Sequence, residues 1–109
     1  MNEVSIAKLR TFGDFKENWN GYGGLTFSPD YLLRVEALLR ELPAEAEVFP
    51  VGDGTVQIEF KNSKGAYLEA ELYANGQAIF FEVDENDCER EYTGLWYAVP
   101  SIVELFIGG

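Results

Sequence analysis

The chain has no histidine. Histidine-based triads, imidazole acid–base work and histidine-ligated metals are therefore excluded. Its single cysteine, Cys88, rules out an intrachain disulfide and a cysteine-built metal centre. Positive charge is scarce: Lys and Arg total 8 against 19 Asp and Glu, for a formal net charge of −11. Such a surface repels nucleic acid and anionic membrane and attracts basic partners. No apolar run approaches a membrane span, and Met1 to Arg10 lacks the apolar stretch of a signal peptide. The expected setting is therefore cytoplasmic, in a bacterium or in the host cell of a phage.

What is present suffices for one α+β domain over 1–109. The sequence is 47% apolar and 15% aromatic, enough to build a core. Its organising stretch is a three-strand meander over 55–83. Thr55–Lys61 alternates, with Val56, Ile58 and Phe60 on one face and Gln57, Glu59 and Lys61 on the other. Tyr67–Tyr73 alternates again, with Leu68, Ala70 and Leu72 inward. A three-residue loop with a left-handed Gly65 sets Phe60 against Leu68, Ile58 against Ala70 and Val56 against Leu72. Asn75-Gly76 reads as a two-residue type I′ turn. That turn sets Leu72 against Ile79, Ala70 against Phe81 and Leu68 against Val83, all in the core.

This register predicts an outer face with Glu59, Glu69 and Glu82 in one row. Gln57, Glu71 and Phe80 form the next row, and Lys61, Tyr67 and Asp84 the one beyond. Two readings compete: a solvated polar face, or an acidic patch carrying Phe80, Tyr67 and Tyr73 that meets a basic partner. Glu82 to Glu91 adds charge, with six acids (Glu82, Asp84, Glu85, Asp87, Glu89, Glu91) against Arg90.

Outside the meander, Asn2 is expected to cap a short helix over 2–12 with Val4, Ile6, Leu9 and Phe12 as its stripe. Ser28-Pro29-Asp30 opens the main helix, about 29–42, whose apolar stripe is Tyr31, Leu32, Val35, Leu38, Leu39 and Leu42. Glu47–Val51 reads as an edge strand because of Pro50, and Tyr92–Ala98 as a fifth strand. Ser101 and Glu104 match a capping box opening a helix over 102–107. The sheet is thus expected to hold four or five mostly antiparallel strands, with the main helix on one face and short N- and C-terminal helices. Gly108-Gly109 follows Phe106-Ile107 directly, which leaves no extended arm for conjugation of a ubiquitin-like tail.

Trp19-Asn20-Gly21-Tyr22-Gly23-Gly24 is either a ligand loop with stacking aromatics or, the favoured reading, a compact loop folding its aromatics onto the domain. It matches neither a P-loop nor a dinucleotide fingerprint. This loop, the Ser28-Pro29 helix, Pro50, and Asp53-Gly54 leading into Val56–Phe60 resemble a group of small uncharacterised bacterial and phage proteins. That group shares a Trp-Asn/Asp-Gly-Tyr-Gly loop and an Asp-Gly hairpin strand. The resemblance spans roughly Leu9 to Val83. It implies the fold and a prokaryotic or phage setting, and it transfers no catalytic residue.

Catalysis is not expected. Glu59 and Glu69 could mimic a glycosidase pair, but a flat sheet offers no cleft. Asp84–Glu89 departs from the EF-hand pattern at Cys88 and Glu89. No cofactor and no metal is expected. The reading favoured here is a protein-binding module. Glu59, Glu69, Glu71 and Glu82 supply fixed charge. Asp84, Glu85, Asp87, Glu89 and Glu91 supply an extension, and Tyr67, Tyr73 and Phe80 anchor the contact. Its concrete form is a phage-type inhibitor that covers the basic nucleic-acid-binding surface of a host defence enzyme, as anti-CRISPR and anti-restriction proteins do. The rivals are an antitoxin or immunity-type partner of a basic toxin, and a weak cation-binding or self-associating domain. The expected partner is a basic protein surface, with no direct nucleic acid or membrane, and the protein a monomer or weak dimer.

Overall fold

Four turns of one kind set the architecture. In each, the first residue's N–H donates to the carbonyl four residues on, and its own carbonyl accepts from the residue three on: Val51/Thr55, Asn62/Ala66, Tyr73/Gln77 and Asp84/Cys88. The residue that reverses the chain is left-handed in every case: Gly54, Gly65, Gly76 and Asp87, spaced eleven residues apart. These are three-residue hairpin loops with a bulge. Side chains hold them as well. Asn62 Oδ1 accepts from the Lys64 and Ala66 amides, and Asp84 Oδ1 from those of Asn86 and Cys88.

The turns join β1 (Glu47–Pro50), β2 (Val56–Lys61), β3 (Tyr67–Leu72), β4 (Gln77–Val83) and β5 (Glu89–Leu95). The computed structural model, which describes residues 1–108, arranges them as one antiparallel sheet in the order β1-β2-β3-β4-β5. The terminal Gly109 lies outside the described residues. The β2–β3 register is the expected one.

The β3–β4 register is not. Leu72 lies opposite Ala78, Ala70 opposite Phe80 and Leu68 opposite Glu82. Asn75-Gly76 belongs to a three-residue loop, one residue longer than the type I′ turn expected. The longer loop needs one left-handed residue, Gly76 (φ 95°), instead of two, which is the less strained choice. Asn75 Oδ1 secures it by accepting from the Gln77 amide. A slip of one residue inverts a whole strand. Ala78 and Phe80 therefore point into the core, while Ile79, Phe81 and Val83 point outward.

Three helices cover the inward face: α1 (Glu3–Thr11), α2 (Pro29–Glu41) and α3 (Val99–Gly108), with 3₁₀ turns at Phe12–Asp14 and Trp96–Ala98. The whole expected stripe of α2 is buried. Its Tyr31 hydroxyl donates to the Leu72 carbonyl and accepts from the Val56 amide, 2.6 Å each, pinning α2 across β2 and β3. Ser28 occupies the N-cap position of α2 but makes no capping side-chain bond. Asn2 does not cap α1 with its side chain either. Val4 is exposed, and Ser5 takes the buried position beside Ile6 and Leu9. The last helix starts at Val99, so Ser101 and Glu104 lie inside it and form no capping box. Val99 and Val103 join the core, and Ile102 and Phe106 pack against it from the side.

Asp87 is the one member of the turn series that is not glycine, held at φ 62°. Asp87→Gly is expected to stabilise the fold by about 0.5–1 kcal/mol, because glycine takes the left-handed region without penalty. Urea denaturation checks it. An unchanged or lowered midpoint would mean that the turn does not set the strain.

Candidate functional site

Among the described residues, the helices pack on the inward face, and only Lys8 of α1 reaches the outer one, at the Phe49 edge; the corrected register decides what else stands there. Pairing across all five strands runs Glu47, Glu59, Glu69, Phe81, Glu91. Neighbouring strands lie about 4.8 Å apart, so four carboxylates and one phenyl ring form a single row. One side of it carries Phe49, Gln57, Glu71, Ile79 and Thr93, and the other carries Lys61, Tyr67, Val83 and Glu89. Phe81, Ile79 and Val83 are half-buried and give the acidic face an apolar centre.

Several of these side chains are fixed before any partner arrives. Gln57 Nε2 donates to Glu59 Oε2 at 2.8 Å, and the Thr55 hydroxyl lies between two acceptors, Asp53 Oδ1 at 2.5 Å and Glu71 Oε2 at 2.7 Å, sharing its one proton between them. Partial burial pushes the Glu69 carboxyl above the usual glutamate range. The Glu59, Glu71 and Glu91 charges add to that shift, while a hydrogen bond from Tyr67 opposes it. Burial, then Glu69 and Glu59, push the Tyr67 hydroxyl up, so it stays protonated and donates into the row. Tyr73 is raised by burial and by Glu71. The face is a rigid array of acceptors whose mutual repulsion a guanidinium or ammonium group would relieve.

Of the residues expected at the site, Glu59, Glu69, Glu71, Tyr67 and Tyr73 do share this face, and Glu89 and Glu91 join it from β5. Phe80 does not: it is 0% exposed, stacked on Tyr92 at 5.0 Å between ring centroids. It cannot anchor a surface contact. Glu82 leaves the predicted row for the opposite face, where it pairs with Arg90. Asp84, Glu85 and Asp87 sit in the β4–β5 turn, and Asp84 spends its carboxylate on two backbone amides. Glu47, Ile79, Phe81 and Val83 belong to the site and were not expected there. Phe81 was legible in the eleven-residue spacing of Gly54, Gly65 and Gly76, and Glu47 in its pairing position opposite Glu59.

The glycine-rich loop is compact. Trp19 donates its indole N–H to the Leu25 carbonyl at 2.8 Å and packs on Phe15 and Phe27. Asn20 Oδ1 accepts from the Tyr22 and Gly24 amides. Only the Tyr22 ring stands free, 93% exposed. Among the described residues, no group of three or more acidic or cysteine side chains is arranged to hold a metal ion.

Because the Glu69 pKa is raised on folding, the folded state holds its proton more tightly than the unfolded chain does. Its contribution to stability therefore falls as pH rises through the window between the usual glutamate value and the raised one. At pH 7, Glu69→Gln is expected to stabilise the protein by about 0.5 kcal/mol, the scale of a like-charge cross-strand contact. The gap should shrink on acidification towards pH 4.5, the ordinary glutamate value. Denaturation at both pH values checks it, and a destabilised variant at pH 7 would show the row to be held by hydrogen bonds that outweigh its repulsion.

Comparison with protein-family models, curated proteins and solved structures finds no match for this chain.

Proposed function

We propose that the protein is a binding module for a basic protein surface, and that it works by covering a surface that otherwise holds nucleic acid. The observation that carries this reading is the row Glu47–Glu59–Glu69–Phe81–Glu91 on the sheet face opposite the one on which the helices of the described residues pack. Carboxylates held at strand spacing offer Lys and Arg the anionic contacts that phosphates offer. Phe81, Ile79, Tyr67 and Tyr73 supply the aromatic and apolar area that anchors interfaces and stacks with Arg. The net charge of −11 steers basic partners towards the molecule. The resemblance of the loop, helix and hairpin segments to small uncharacterised bacterial and phage proteins implies a prokaryotic or phage setting, in which the concrete form of this reading is a phage-type inhibitor of a host defence enzyme.

The test compares wild type with a Glu47→Gln/Glu59→Gln/Glu69→Gln/Glu91→Gln variant as baits, each captured protein then being purified. The expected partner is basic, loses its nucleic acid when wild type is added, and binds the variant at least tenfold more weakly. Raising salt from about 50 to 500 mM should release it. Equal affinity for both baits, or salt-independent binding, would remove the row from the function.

A further inference from the structure

The two edges of the sheet are finished differently. β1 is four residues long and ends in Pro50, which has no N–H to offer. The chain leading into it is tied down: Asn2 Oδ1 accepts from the Ala46 amide, and the Ser5 hydroxyl donates to the Ala46 carbonyl. Lys8 of α1 lies over the Phe49 ring, 4.2 Å from its centroid. β5 is seven residues long, pairs with β4 on one side and, among the described residues, has no strand on the other. Its charges, Glu89, Arg90 and Glu91, are confined to its first three positions. Tyr92–Leu95 carries none of the usual edge-blunting devices.

The direction of the free backbone groups follows from the turn. Asp84 N–H donates to the Cys88 carbonyl, and Trp96 N–H to that of Gly76. In an antiparallel ladder the bonding pairs alternate. Arg90, Tyr92 and Gly94 therefore direct their backbone groups to β4, while those of Glu89, Glu91, Thr93 and Leu95 face outward, without a partner strand among the described residues. The side chains of this second set stand on the acidic outer face. On the inner side, a groove of about 530 Å³ runs between Tyr92 and the Ile102, Leu105 and Phe106 side chains of α3. It continues past the Glu82–Arg90 pair into a second one of about 550 Å³. Leu105 is 77% exposed along this groove.

We propose that β5 takes up a sixth, antiparallel strand from the basic partner: an extended segment alternating basic and apolar residues. This rests on the reading of the protein as an acidic binder. Basic side chains of the incoming strand stand beside Glu89 and Glu91 and extend the carboxylate row. The alternate apolar side chains drop over Tyr92 and the bare Gly94 towards Ile102, Leu105 and Phe106. Main-chain bonds supply affinity, and the alternation supplies specificity. A second copy of this chain fits poorly, because it adds its own net charge of −11 and brings glutamate to the same edge.

The probe is a labelled seven-residue peptide alternating lysine and leucine, titrated by fluorescence anisotropy at low salt. In the proposed pairing the lysine nitrogens face β5. N-methylation of those nitrogens is expected to weaken binding at least tenfold, and N-methylation of the leucine nitrogens less than threefold. Thr93→Pro, which removes an outward N–H and leaves the β4 ladder intact, should weaken it at least tenfold with an unchanged circular dichroism spectrum. The Glu91 and Thr93 amides should exchange fast in the protein alone and slowly with the peptide. Retained, salt-sensitive binding that is indifferent to both methylation patterns would overturn strand addition and leave the acidic-face reading standing. Failure of every lysine–leucine peptide to bind would overturn both. Slow exchange of Thr93 in the protein alone, together with a dimer in sedimentation, would assign the edge to a second copy instead.

Discussion

Replacing Phe80 with alanine is expected to cost about 3–5 kcal/mol, and replacing its neighbour Phe81 about 1 kcal/mol. Phe80 is fully buried, stacked on Tyr92 with the two rings 13° from parallel. A Cβ on Gly94 would come within 3.1 Å of the same ring, so the absence of a side chain there is what lets Phe80 lie beneath β5. Truncation removes transfer energy and leaves a cavity in a closely packed layer. For a domain of this size, whose stability is of order 5–15 kcal/mol, that loss brings unfolding near. Phe81 stands half-buried on the outer face, between Glu69 and Glu91, and its removal exposes little new surface. The pair thus reports the β3–β4 register directly. A two-residue Asn75-Gly76 turn would reverse the order of the two losses. Guanidinium denaturation of both variants decides it, and the same Phe81→Ala protein should bind a basic partner more weakly despite its near-native stability.

That register marks where the sequence was legible and where it was not. Strict alternation placed β2 and β3 on their correct faces, because a half-buried strand leaves one signature. The α2 stripe was equally plain, since thirteen residues at helical period leave little ambiguity about the buried side. Gly65 alone was enough for the first hairpin, because matching apolar faces across it excluded the shorter loop. At Asn75-Gly76 both loop lengths satisfy local turn chemistry, and β4 is apolar on both faces (Ala78, Ile79, Phe80, Phe81), so face matching lost its power. The resolving signal was longer in range: glycine at 54, 65 and 76 implies one loop type repeated. β5 was expected to begin at Tyr92 and begins at Glu89, because a charged edge strand exposed on both faces reads as a loop. The candidate site inherited these errors in proportion. Residues from β2 and β3 were placed correctly, and those from β4 were inverted.

The acidic row also bears on how the fold is held. A face that concentrates repulsion adds little to its own assembly beyond a few hydrogen bonds and its half-buried apolar centre, so most cohesion comes from the opposite side of the sheet. There the inward strands, the α2 stripe and the valines of α3 form one continuous core. Charge is neutralised where elements meet on that helical side. Glu36 accepts from both Arg10 of α1 and Arg40 of its own helix, and the Arg10 contact first, then Arg40, hold its carboxyl down to about 2. Its lowered value stabilises the fold above the usual glutamate range and stops doing so as pH falls towards 2. Glu36 and Glu69 thus respond to acid in opposite directions. The first loses a helix–helix tie, while the second is relieved of repulsion.

The second large loss is expected at Asn2, a residue that a sequence reading assigns to helix capping. Its side chain is 0% exposed and makes no cap. Instead Nδ2 donates to the carbonyls of Leu39 (3.0 Å) and Ala44 (3.1 Å), and Oδ1 accepts from the Ala46 amide at 2.7 Å. One carboxamide therefore joins the start of α1, the end of α2 and the approach to β1. It is the only side-chain type of this length that offers two donors and an acceptor while tolerating φ 68°. Asn2→Ala is expected to cost about 2–4 kcal/mol, because it orphans the buried Ala46 amide and the Ala44 carbonyl and leaves the Leu39 carbonyl only its 3.4 Å bond from the Leu42 amide. Asn2→Gly should be milder by about 0.5–1 kcal/mol, since it removes the left-handed strain while losing the same bonds. Asn2→Asp should be no better than alanine at neutral pH, because a carboxylate would face two carbonyl oxygens. Denaturation midpoints for the three variants separate these contributions. A loss below 1 kcal/mol for Asn2→Ala would show that water replaces the carboxamide and that β1, with Glu47 at the head of the acidic row, is held by its ladder to β2, by Ser5 and by packing.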